Sequence, residues 1–137
     1  MADDVVLSKA ASIERCVARI REVYADNDEN LWDNHTTQDS ILLNLQRACE
    51  LSIDLAMHVV RKRRLGVPGD SREAFDFLQS GGILDAELAA RLKRMVGFRN
   101  VAIHEYAKLD MAIVKRIITE RLNAFLAFTQ RLLKAEA

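Results

Sequence analysis

Apolar residues recur along this chain at the three- and four-residue intervals that line one face of a helix. Val6, Ile13, Val17, Ile20 and Tyr24 predict a first helix over about residues 5–24. A polar stretch from Asp26 to His35 follows as a loop and carries the only tryptophan, Trp32. Ile41, Leu45, Ala48, Leu55 and Val59 predict a second helix over about 37–64. Thr36 with Asp39 three residues later offers its cap, and Gly66 and Pro68 end it. Asp70 and Glu73 cap a short helix through Phe75 and Leu78, which Gly81-Gly82 stops. Asp85 starts a fourth helix that reaches Tyr106. Asp110 starts a fifth, striped by Ile113, Ile117, Ile118, Leu122, Phe125 and Leu132. Stripes of this kind pack as an antiparallel bundle, so the expected fold is all-α, about five helices in one domain over residues 1–137.

Composition supports this. Only five glycines and one proline punctuate 137 residues, which argues for long helices and against a turn-rich β fold. Twenty basic and twenty acidic residues cancel, so bulk charge is no argument for nucleic acid. Their distribution is more informative. Acids crowd the early loop (Asp26, Asp28, Glu29, Asp33), while bases gather at Arg61-Lys62-Arg63-Arg64 and at Arg91, Lys93, Arg94 and Arg99. A neutral protein with a local basic face can still bind a polyanion. Arg61, Lys62, Arg63 and Arg64 first complement the C-terminal end of the second helix and secondarily offer an RNA-docking patch, with Lys93 and Arg94 as further candidates. No apolar run reaches membrane-spanning length, and the Met1-Ala2-Asp3-Asp4 start lacks the basic region of a signal peptide. Cys16 and Cys49 read as small core fillers in a reducing, cytoplasmic setting. His58 reads as a packed core histidine, and His35 has no ligand set around it, so no metal site is expected.

The densest chemistry lies in Arg99-Asn100-Val101-Ala102-Ile103-His104-Glu105-Tyr106. An arginine fork suits a phosphate, and histidine titrates near neutral pH. Projected at about 100° per residue, Arg99 and Tyr106 fall inside the apolar stripe of Leu88, Leu92, Met95, Val96 and Ile103. A lone buried guanidinium is costly, so Arg99 needs an acidic partner or a cleft. Ala90, Lys93, Gly97, Asn100 and His104 lie on the other side. Gly97 costs roughly 1 kcal/mol against alanine in a helix interior, which suggests another backbone approaching closely. On a regular helix Arg99 and His104 stand about 140° apart. Either the helix unwinds before His104 or a second copy of the chain completes the site, and the second arrangement is favoured, with the Gly97-Asn100-His104 strip near a dimer interface. Blander roles stay open for each residue: a helix-end cap for His104, a structural ion pair for Arg99, a core-edge aromatic for Tyr106.

Arg-Asn-x-x-x-His-x-Tyr on a helical chain of this length resembles the HEPN superfamily, and within it the HepT-like toxins of prokaryotic toxin–antitoxin pairs. Ile41 to Glu50 and Met95 to Asn100 are also similar to this family, so the likeness extends from about residue 8 to 130. The resemblance implies a homodimeric HEPN-like domain with a composite, metal-independent ribonuclease site and no cofactor. Arg99, Asn100 and His104 would be its catalytic residues, acting on tRNA or mRNA. It also implies a partner, an MntA-type minimal nucleotidyltransferase antitoxin that silences the toxin by AMPylation of Tyr106. The alternative is a non-catalytic nucleotide- or substrate-binding helical subunit working with that nucleotidyltransferase, a reading the neutral charge mildly favours.

Overall fold

The computed structural model describes residues 3–104 and 109–136, the side chains of Ile103 and His104 excepted. Its described residues form seven helices and no strand: α1 (Asp4–Tyr24), α2 (Glu29–Trp32), α3 (His35–Lys62), α4 (Ser71–Ser80), α5 (Ala86–His104), α6 (Met111–Glu120) and α7 (Leu122–Glu136). The all-α expectation holds, with two differences in the elements. The early polar loop contains the single turn α2, and the expected fifth helix is two, separated at Arg121 (φ −125°, ψ −8°).

Most of the predicted helix starts rest on local side-chain chemistry that the structure reproduces. The Asp70 carboxylate accepts from the Glu73 N–H at 3.0 Å, Asp85 from Leu88 N–H at 2.8 Å, and Asp110 from Ala112 N–H at 2.8 Å. The cap of α3 is Asn34, which accepts from Thr37 N–H at 3.2 Å, so the helix begins one residue before Thr36 and leaves that residue inside its first turn. After Lys62 the chain turns through Arg64 in the left-handed region (φ 53°) and leaves helical geometry before Pro68.

Long-range side-chain pairs give the packing directions. Asp3 at the start of α1 meets His58 and Lys62 at the end of α3, so these two long helices run antiparallel. Thr129 bonds Glu14 and Asn123 bonds Arg21, which sets α7 antiparallel to α1. Lys93 pairs with Asp76 and Arg131 with Asp85, so α5 runs antiparallel to both α4 and α7. The core between these helices holds Ile13, Ile20, Leu45, Leu55, Leu78 and Leu92, all wholly buried. Phe75 of α4 meets Phe128 of α7 edge to face, with ring centroids 5.7 Å apart. Each such side chain contributes about 1.5–3 kcal/mol by leaving water. The acidic loop is tied down as well. Asp28 accepts from the Tyr24 hydroxyl and pairs with Lys115 of α6 at 2.8 Å, and Lys115 lies 6.0 Å from the Trp32 ring. Burial, then the Asp28 hydrogen bond, pushes the Tyr24 hydroxyl up to about 12. This anchors α6, the helix that resumes the chain after the Arg99–Tyr106 segment.

Candidate active site

The site is carried by α5, and the helix phase sets what each side chain can do. Leu88, Leu92, Met95 and Val96 are buried, as their stripe predicts, and the neighbouring Ala102 is buried too; the Ile103 side chain lies outside the described residues. Arg99 leaves the helix on this same side. Its Nε is buried and has no hydrogen-bond partner, while Nη1 donates to Asn100 Oδ1 at 3.2 Å. No carboxylate among the described residues forms an ion pair with it. Of the two outcomes open to a guanidinium in an apolar stripe, an acidic partner is the one that the described residues do not supply. Behind Arg99 lies Cys49 of α3, a wholly buried thiol. Burial pushes it up to about 12, the Arg99 charge acting in the opposite direction. This thiol is a neutral, packed neighbour that leaves the arginine charge uncompensated.

The helix stays regular through His104, so unwinding before that residue does not occur. The two motif positions thus remain about 140° apart around α5. The His104 side chain and the whole of Tyr106 lie outside the described residues.

Gly97, Asn100 and His104 occupy one strip of α5, and two different surfaces flank it. On the α4 side, the approach to Gly97 comes from a side chain, where a backbone was expected. A Cβ built on Gly97 would stand 3.2 Å from Arg72 Nη2. Arg72 drew no attention in the sequence, because its nearness to α5 depends on how α4 and α5 pack. Farther along the same side, Lys93 is neutralised by Asp76 at 2.8 Å. On the α6 side, a cavity of about 240 Å³ is lined by Arg94, Phe98, Val101, Leu109, Ile113 and Arg121 among others. Val101 and Ile113 are 38% and 52% exposed there, an apolar patch beside the strip.

The other candidate cations divide into bound and free. Lys62 pairs with Glu136 at 2.9 Å and Asp3 at 3.3 Å, and Arg63 reaches Glu136 at 3.9 Å. Arg61 and Arg64 instead line an open hollow with Met57, Val67 and Pro68. His58, read as a core histidine, is half-buried and bonded to Asp3 at 2.6 Å. The described residues hold no cluster of metal ligands and no helix long and apolar enough to cross a membrane.

Comparison with known proteins gives the family of the chain. The chain is 41% identical over 134 residues to a protein of Shewanella oneidensis described as mRNA nuclease HepT, covering 98% of this chain and 99% of the relative. Its structure superposes on a tri-AMPylated HEPN toxin from Shewanella oneidensis, solved in complex with an MNT antitoxin, with a TM-score of 0.90. The identity there is 40%, over 98% of this chain and 99% of that one. A toxin–antitoxin structure with AMP-PNP matches with a TM-score of 0.91 and 40% identity, over 98% and 100% of the two chains. The ribonuclease HepT-like family model matches residues 13–132, from the middle of α1 to the last turns of α7 with the Arg99–Tyr106 segment inside, and the chain therefore belongs to the HepT-like ribonuclease family.

Proposed function

We propose that this chain is an endoribonuclease toxin that needs no metal ion, acting as one HEPN-like domain and silenced by a nucleotidyltransferase antitoxin. The observation that carries the reading is Arg99, a guanidinium set in the apolar face of α5 with no carboxylate among the described residues to neutralise it. Such a charge has a use where a phosphate arrives. RNA brings its own nucleophile, the ribose 2′-hydroxyl. His104 takes the hydroxyl proton as the oxygen attacks phosphorus, the 5′-oxygen leaves with a proton returned to it, and a 2′,3′-cyclic phosphate remains. An imidazole with an ordinary pKa near 6.5 suits both transfers. Arg99 stabilises the charge on the phosphate, and Asn100, already bonded to Arg99, orients the pair. The regular phase of α5 sends Arg99 and His104 in different directions, which supports a site completed by a second copy of the chain. The exposed Val101 and Ile113 beside the strip supply an apolar surface for that homodimer.

The substrate in this reading is tRNA or mRNA. Arg61, Arg64 and Arg94, which pair with no described carboxylate, dock it, while Lys62, Arg63 and Lys93 join them only by leaving their carboxylates. The antitoxin is an MntA-type nucleotidyltransferase that moves AMP from ATP to Tyr106. The added phosphate and adenosine then fill the place of an RNA phosphate beside the motif. The test is cleavage of tRNA and mRNA in EDTA by protein whose Tyr106 is verified by mass spectrometry to be unmodified. Cutting that disappears in His104→Ala supports the reading. No cutting of several RNAs by that protein would replace it with a nucleotide-binding subunit.

A further inference from the structure

Arg72 is the least explained charge on the molecule. It lies in the first turn of α4, the end of a helix at which a cation is least favourable. Of the three acids within four residues of it, Asp76 pairs with Lys93 at 2.8 Å and the other two are engaged with backbone. Asp70 accepts from the Glu73 N–H, and the Glu73 carboxylate accepts from the Gly69 N–H. Arg72 itself is exposed and makes no hydrogen bond or ion pair with a described residue. A free arginine in this position would ordinarily extend into water. This one instead lies across α5, with Nη2 3.2 Å from the point where any side chain at Gly97 would begin.

The glycine and the arginine explain each other. Gly97 weakens the middle of a long helix, yet no backbone packs into the space it leaves. The space is taken by the Arg72 guanidinium, which is thereby held one turn of α5 from Asn100 and the Nη1 of Arg99 bonded to it. Two guanidinium groups from different helices thus flank Asn100, neither paired with a carboxylate among the described residues. The apolar patch of Val101 and Ile113 lies on the opposite flank, toward α6. A polyanion entering the strip therefore meets Arg72 on the α4 side and the arginines of the α6-side cavity, Arg94 and Arg121, on the other.

We infer that Arg72, seated in the notch of Gly97, is a further substrate-binding residue that holds an RNA phosphate next to the one at Arg99. This rests on the ribonuclease reading and adds to it a contact from α4, outside the motif. Arg72 binds and does not take part in proton transfer, so its loss acts on affinity.

The experiment measures two quantities on unmodified protein. One is the affinity for a fluorescein-labelled single-stranded RNA carrying 2′-O-methyl groups throughout, which cannot be cut; the other is kcat and KM on unmethylated RNA. Arg72→Ala is expected to weaken binding about tenfold and raise KM in proportion, with kcat within about twofold. The slope of log affinity against log salt should fall by about 0.7, the share of one phosphate contact on a single strand. Arg72→Lys should recover most of the affinity. Gly97→Ala asks the Arg72 guanidinium to give by only a few tenths of an ångström, so it should change binding less than Arg72→Ala does and should do nothing further in an Arg72→Ala background. Arg131→Ala, whose arginine is paired with Asp85 at 3.5 Å, is the control and should bind normally. Wild-type affinity in Arg72→Ala, or an equal loss in Arg131→Ala, overturns the proposal while leaving the ribonuclease reading standing. Wild-type protein that binds the methylated RNA but cuts nothing sinks the ribonuclease reading, and the Arg72 contact is then decided by binding alone. Wild-type protein that binds no RNA overturns both.

Discussion

Replacing Arg99 by methionine should make the protein more stable and destroy its activity. The folded chain holds a guanidinium whose Nε is buried without a partner and whose charge is paired with no carboxylate among the described residues. An unsatisfied buried polar group costs about 1–3 kcal/mol, with more for a charged one. Methionine keeps an unbranched stem in the apolar stripe of α5, whose Leu92 and Met95 are buried, and removes both the unpaired N–H and the charge. Partial exposure of the guanidinium end lets water recover some of that cost, so the lower half of the range is the better expectation: a gain of about 1–2 kcal/mol. For a chain of this size that is about 3–8 °C in Tm. Urea midpoints at fixed protein concentration give the free energy, and the unchanged slope verifies that the same surface unfolds. RNA cleavage by the variant should fall at least about a hundredfold, as expected when a preorganised charge is removed from a phosphoryl transition state. A variant destabilised by 1 kcal/mol or more would refute the reasoning, because it would mean that Arg99 earns its place through folding contacts.

Four shorter tests address the scaffold. The hydrogen bond from His58, with those from Val5 N–H and Lys62, holds the Asp3 carboxyl well below the usual carboxylate range in spite of the burial that opposes them. A depressed folded value means that this contribution is present above the unfolded pKa of about 3.9 and is lost as pH falls below it. Asp3→Asn should therefore lower Tm at pH 7, and its deficit should shrink toward zero in scans run progressively below pH 4. Phe128→Ala removes a wholly buried ring and its edge contact with Phe75, and urea unfolding should show a loss of about 3–5 kcal/mol. Asp110→Ala removes the cap of α6 and should cost about 1 kcal/mol by the same assay. Cys49, buried and pushed up to about 12, should resist iodoacetamide at pH 8 in native protein and react once urea unfolds it, as mass spectrometry would report.

What the sequence disclosed follows the range of the forces involved. Asp70, Asp85 and Asp110 act on backbone two or three residues away, so the helix starts they mark were readable from neighbours alone. The apolar stripe of α5 likewise places Arg99 among buried residues from the helical spacing alone. The division at Arg121 had no such signal. No glycine or proline stands there, and the Thr119 hydroxyl instead bonds back to the Lys115 carbonyl at 2.9 Å, a local competition that bends helices. Gly97 announced a close approach, but nothing near it in the chain could say what approaches. Arg72 lies 25 positions earlier and meets it only because α4 packs antiparallel to α5. Likewise, the run Arg61 to Arg64 looked uniform until Glu136, from the far end of the chain, took up Lys62 and Arg63.

That same Glu136 has a topological consequence. Its carboxylate accepts from the Asp3 backbone N–H at 3.3 Å while Lys62 bridges both residues, so the two ends of the described chain are side by side over the end of α3. A short peptide could join them without disturbing a helix, and new ends could open in the turn after α3, where Val67 is 92% exposed. The bundle is in this respect a closed loop of helices, and its order along the chain is one of several that the same packing would accept.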